Sequence, residues 1–176
     1  MVNLADRLVN AGLTRERLEE CRRIVGVSGE SLDRVIVQKD YMPEAEVLGV
    51  YAAHLGYEFR EKLEGTKVPN AFVDGIPIQF TRNYNLIAVG EPVNGVMSVA
   101  TCAPLDPNPM DDLSAMLGFD IEPVLATKTE ITTLIARAYR HKADGVDEAL
   151  DAVSEDADIA GLAEELDDSE DVLDVS

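Results

Sequence analysis

The sequence has no tryptophan, and aromatic residues make up only 5% of it. Any core must therefore be built mostly from Leu, Ile, Val and Ala, which the 46% hydrophobic content supplies. No apolar run approaches the roughly 18–20 residues that a membrane span needs. The opening MVNLADRLVNAG meets Asp6 and Arg7 at once and has no hydrophobic signal core, so a cytoplasmic chain is expected. There are only two cysteines, Cys21 and Cys102, far apart in sequence, which in an unexported chain read as reduced thiols. The two histidines, His54 and His141, have no second His or Cys at ligand spacing, so no metal site is expected. The sequence contains neither G-x-x-x-x-G-K-[ST] nor G-x-G-x-x-G, the loops that cradle nucleotide phosphates. With no paired catalytic groups either, no enzyme active site and no cofactor are expected in this chain.

Positive charge is missing from one end altogether. Residues 143–176 hold 14 of the 34 acidic residues and none of the 15 basic ones, so the formal charge of −19 falls to −5 over the first 142. A polyanionic stretch of this kind is expected to be a disordered tail, because like charges repel and its apolar residues are sparse. Nucleic acid is excluded as a partner, since phosphate binding needs clustered cations.

The remaining residues predict an α+β fold, with a bundle of short helices followed by a small β-β-α-β-α unit. Four helices are expected in residues 1–56. The first covers 2–10 and stops at Gly12, and the second is capped by Thr14 with Leu18, Cys21, Ile24 and Val25 on one face. The third opens at Ser28 and carries Leu32, Val35, Ile36 and Lys39. The fourth starts with Pro43 at its first position, carries Val47, Leu48, Val50, Tyr51 and Leu55, and ends at Gly56. Residues 57–67 read as a connector, 68–142 as the α+β part and 143–176 as the acidic tail. Leu86–Val89 and Val96–Thr101 read as strands joined through Asn94-Gly95, a hairpin turn signal. Residues 121–125 read as a third strand, although Pro123 suits an edge better than a centre. Asn108 caps a helix with Pro109 at its first position and Leu113, Met116 and Leu117 inward. Thr127 and Glu130 make a capping box for the last helix, which buries Ile131, Leu134, Ile135, Ala138 and Tyr139.

Polar features that stand out have plain explanations beside functional ones. Asp111-Asp112 falls in the first turn of a helix, where carboxylates meet the positive end of the dipole. His54 sits near a helix end, as a packing or capping histidine does. Arg22-Arg23 reads either as a solvated helix face or as a docking point.

Within the helical part, two stretches are alike. NLADRLVNAGLTRERLEECRRIV from Asn3 and SLDRVIVQKDYMPEAEVLGVYAAH from Ser31 each hold a leucine, a pair of apolar residues, a turn and a capped helix. Leu4 corresponds to Leu32, Leu8-Val9 to Ile36-Val37, and Gly12 to Asp40. This is an internally duplicated helix-turn-helix unit.

These stretches, followed by PIQFTRNYNLIAVG and by VMSVATCAPLDPNPMDDLSAMLGFDIEPVLATKTEITTLIARAYR, resemble the N-terminal MshEN-type domain of type II secretion and type IV pilus assembly ATPases. The likeness runs over about residues 1–141. It implies a non-catalytic docking or regulatory domain that tethers a motor to an inner-membrane platform protein, peripheral to that membrane and not inserted in it. ATP and Mg²⁺ would then belong only to a motor domain carried elsewhere in the same chain. It also implies an alternative, a degenerate cyclic di-GMP-sensing module. Some members bind that ligand through two repeats of roughly R-L-G-x-x-L-V-x-x-G followed by a helix ending in Gln. Here the apolar skeleton of Leu4, Leu8, Leu32 and Ile36 is kept with Gly12. Asn3 and Ser31 replace Arg, Ala5 and Asp33 replace the first Gly, Asp40 replaces the second repeat's last Gly, and Val25 and His54 replace Gln. Losing both guanidinium groups and both amides removes the groups that would hold phosphates and bases, so weak or no binding is expected. The exposed cations Arg7, Arg15, Arg22, Arg23 and Arg34 are the candidate partner-binding residues.

Overall fold

The computed structural model describes residues 1–145, which comprise one unit, Met1–Ala138, and the first residues of a second, Tyr139–Ser176. Residues 139–145 of the second unit are helical. The expected disordered tail begins with three of these helical residues, 143–145, and otherwise lies outside the described residues.

The first unit begins with four helices, α1 (Leu4–Asn10), α2 (Arg15–Ser28), α3 (Leu32–Gln38) and α4 (Glu44–Leu55). Local chemistry sets their ends. Asn3 accepts the Asp6 N–H through its side chain at 2.8 Å and Thr14 accepts that of Arg17 at 3.3 Å. Gly29 ends α2 and Gly56 ends α4, both left-handed. The third helix therefore does not open at Ser28, which is the last residue of α2. Its N-cap is Ser31, and Lys39 is its C-cap rather than part of its apolar face. Pro43 likewise stands at the N-cap of α4, one position before the expected one. Helices α1 and α3 have seven residues each and would not hold alone. They are held by a shared core of Leu8, Leu13, Leu18, Cys21, Val35, Ile36, Met42, Val47, Leu48, Tyr51 and Ala52. Leu125, from the sheet, belongs to that core too.

The fold is α+β, as expected, but the sheet has four strands: β1 (Glu58–Phe59), β2 (Leu86–Ala88), β3 (Val96–Thr101) and β4 (Asp120–Leu125), in the order β1-β4-β3-β2. Strands β2 and β3 form the hairpin, with Asn94 and Gly95 both at positive φ (52° and 79°), the geometry of a type I′ turn. Strand β4 runs parallel to both β3 and β1. Two short helices, α5 (Asn70–Gly75) and α6 (Ile78–Tyr84), precede β2, each with proline at its N-cap, and α7 (Asn108–Leu117) crosses from β3 to β4. A further helix, α8, runs through residues 128–138 of this unit.

Four expectations need correction here. The connector over 57–67 is an ordered part of the unit. It holds β1 and is fastened by the Arg60 N–H to Leu125 O, the Leu63 N–H to Glu130 Oε2, and Arg137 to Thr66 O. Pro123 lies in an interior strand, tolerated because β1 pairs only with Val124 and Leu125, so among the described residues β4 has a free flank at Pro123. The capping box of α8 is half made. Thr127 Oγ1 accepts the Glu130 N–H at 3.4 Å, but the Glu130 carboxylate goes to Leu63 and Lys62. In α7 the N-cap is Pro107, with Asp106 rather than Asn108 supplying a side-chain acceptor, to the Asn108 N–H, and Met116 is exposed.

Candidate functional site

The duplicated unit is legible in the backbone hydrogen bonds. In the first copy Ala11, Gly12 and Leu13 donate to Arg7, Val9 and Leu8; in the second Lys39, Asp40 and Tyr41 donate to Val35, Val37 and Ile36. Every residue of the second set lies at the same sequence offset from the first. Leu8 and Ile36 are both fully buried, and Leu4 and Leu32 pack against the same core. Gly12 and Asp40 both take positive φ, 116° and 56°. The motif skeleton is thus a structural one in both copies.

The polar motif positions fall at helix ends, on the helical core and beside a cavity. Asn3 and Ser31, where the resemblance places arginine, are the N-caps of α1 and α3, Asn3 with a side-chain bond and Ser31 without one. His54 is exposed in the last turn of α4. Val25 is half-buried and packs on the helical core. Asp33, at a glycine position, is buried, and its Oδ1 has no hydrogen-bond partner. It borders a cavity of about 430 Å³ together with Arg34, Gln38, Glu44, Asn85, Cys102 and Lys128. The Tyr51 hydroxyl is also buried without a partner, and burial, reinforced by the Asp33 charge, pushes it well above the usual phenol range. Both charge signs line this cavity, and Glu44 Oε1 already accepts the Lys128 N–H at 2.7 Å. Burial raises the Cys102 thiol, which keeps it protonated, and no histidine lines the cavity to activate it. The arrangement can hold a small polar molecule but offers no nucleophile–base pair. Among the described residues no group of three His, Cys, Asp or Glu could hold a metal ion, and no helix is long and apolar enough to cross a membrane.

The five candidate arginines do not form one surface. Arg7 lies in a groove between α1 and α4 with its Nε buried and unpartnered, and Arg34 lines the Asp33 cavity. Arg15, Arg22 and Arg23 share the outer face of α2, all exposed, with Arg22 bonded to Glu19 at 2.9 Å. Val27, 93% exposed, belongs to the same helix. Arg17 is engaged within the fold, over the Tyr41 ring at 4.7 Å, while Tyr41 donates to Glu20. That bond, with Lys39 nearby, holds the Glu20 carboxyl below the usual range.

A family comparison matches the MshEN domain over residues 55–145, just over half of the chain. The chain belongs to the MshEN domain family. This is the family of N-terminal domains of type II secretion and type IV pilus assembly ATPases. The match starts at the end of α4 and leaves out the duplicated helices, which had carried much of the resemblance in sequence. Those helices are reached by the structural likenesses. A structure of MshE with cdg, cyclic di-GMP, superposes with a TM-score of 0.64 at 20% identity, covering 79% of this chain and all of that one. Two crystal forms of the N-terminal domain of XpsE give TM-scores of 0.60 and 0.54 at 25% and 22% identity. Each covers 79% of this chain, and 98% and 99% of the XpsE chains. No curated protein matches the chain.

Proposed function

We propose that this MshEN domain is a non-catalytic docking module that tethers an ATPase motor of its own chain to the cytoplasmic part of an inner-membrane platform protein. The observation that supports this most is the solvent side of α2, where Arg15, Arg22 and Arg23 are all exposed and Val27 of the same helix is exposed too. A planar guanidinium makes directed, charge-assisted bonds, and arginine is enriched among the residues that carry interface binding energy. Calorimetry with the cytoplasmic part of the platform protein tests it, and saturable one-to-one binding is expected.

One observation favours a second reading, a sensor for cyclic di-GMP: both repeats share one backbone hydrogen-bond pattern, and MshE is seen with that ligand. Against it, the arginine positions are helix caps and Asp33 stands where a glycine would let a phosphate approach. A buried carboxylate repels that phosphate. Titration with cyclic di-GMP is expected to give no binding at micromolar concentrations; a micromolar or tighter dissociation constant would favour the sensor.

A further inference from the structure

On one side of the sheet lies a groove of about 450 Å³, lined among others by Ile121 and Pro123 of β4, Tyr57 after α4, Leu105 in the β3–α7 loop, and the carboxylates of Asp106 and Asp111. Tyr57 and Leu105 are 37% and 51% exposed, so apolar surface stands open to solvent there. Beside it, β4 has no strand partner on its β1 flank at residues 120–123 among the described residues. Pro123 carries no N–H, so this short edge is poorly suited to adding a strand. Recognition there falls to side chains entering the groove.

Charge selects the occupant. From residue 83 to residue 127 the sequence has no Lys or Arg. The elements that build the groove carry Asp106, Asp111, Asp112, Asp120 and Glu122, all exposed, and none is in an ion pair among the described residues. The chain's own residues 143–176, with 14 carboxylates and no cation, are repelled by such a surface. We infer that the groove docks a basic segment of a partner protein, one or two apolar side chains seated on Leu105 and Tyr57 and flanking Lys or Arg facing Asp106 and Asp111. This is a second surface, independent of the α2 face, and it makes the domain a two-sided adaptor.

The test uses the 176 residues together and a fluorescein-labelled peptide of alternating lysine and leucine, with an alternating lysine–glycine peptide as the charge-only control. Amide shifts in an NMR titration are expected to cluster at Tyr57, Leu105, Asp106 and Asp111, with the lysine–glycine peptide at least tenfold weaker. Asp106→Lys with Asp111→Lys should weaken binding at least tenfold, whereas the same reversal at the exposed Glu61 and Glu64 should change it less than twofold. Leu105→Ser, at an exposed position, should weaken it without lowering the melting temperature. Shifts confined to residues 143–176, equal losses from both reversals, or a dimer in sedimentation that the peptide does not dissolve would each overturn the proposal.

Discussion

Two residues that look interchangeable in the repeats differ in what their backbone asks of them. Gly12 sits at φ 116° with nothing near a would-be Cβ, so its requirement is conformational rather than steric. Asp40 occupies the equivalent turn at φ 56°, a left-handed region that Asp tolerates and Gly prefers. Asp40→Gly should therefore stabilise the domain by a few tenths to about 1 kcal/mol, and Gly12→Ala should cost about 1–2 kcal/mol, both read from thermal melts. Glu130 makes a different kind of prediction. Its carboxyl, about one-fifth exposed at 21%, is held below the ordinary range, first by the Leu63 N–H at 2.9 Å and then by Lys62. A carboxyl with a depressed folded-state pKa contributes stability above its unfolded value and loses it as pH falls through the folded one. Wild type should be about 1 kcal/mol more stable than Glu130→Gln at pH 7, with the gap closing on acidification towards pH 3. A gap that does not change with pH would mean the charge of Glu130 does not matter.

At the level of elements, the helices of the first 56 residues were legible because their signals are local: Thr14, Pro43, Gly29 and Gly56 punctuate them and leucines recur at helical spacing. Ser28 looks like a helix start but is a helix end, because the glycine that follows it takes the left-handed conformation. Strand β1 was not legible, since two residues with no apolar alternation are a strand only because β4 lies beside them. The fastening of residues 57–67 was equally hidden, resting on Glu130 and Arg137 from far along the chain. Because the repeats are equivalent in their hydrogen bonds and their fully buried anchors, Leu8→Ala and Ile36→Ala should each cost about 2–5 kcal/mol, within the range for emptying a packed site. Chemical denaturation checks this, and a negligible loss at one of the two would show that only one copy holds the bundle.

For the molecule as a whole, fold class and family could be read from residue order, while the surfaces could not. Five arginines that look like one set in sequence are divided between a helix face, a packing groove and a cavity. The groove beside Pro123 gave only the absence of Lys and Arg over residues 83–127 as its sequence signal. Charge placement gives the domain its asymmetry, with arginines outward on α2 and carboxylates around α7 that are in no ion pair among the described residues. Docking through α2 is the central claim, and Arg22→Glu with Arg23→Glu tests it most directly by calorimetry against the cytoplasmic part of the platform protein. The account predicts a loss of roughly 2 kcal/mol or more in binding with little change in melting temperature, since neither arginine packs in the core. Unchanged affinity in a folded double variant would contradict it.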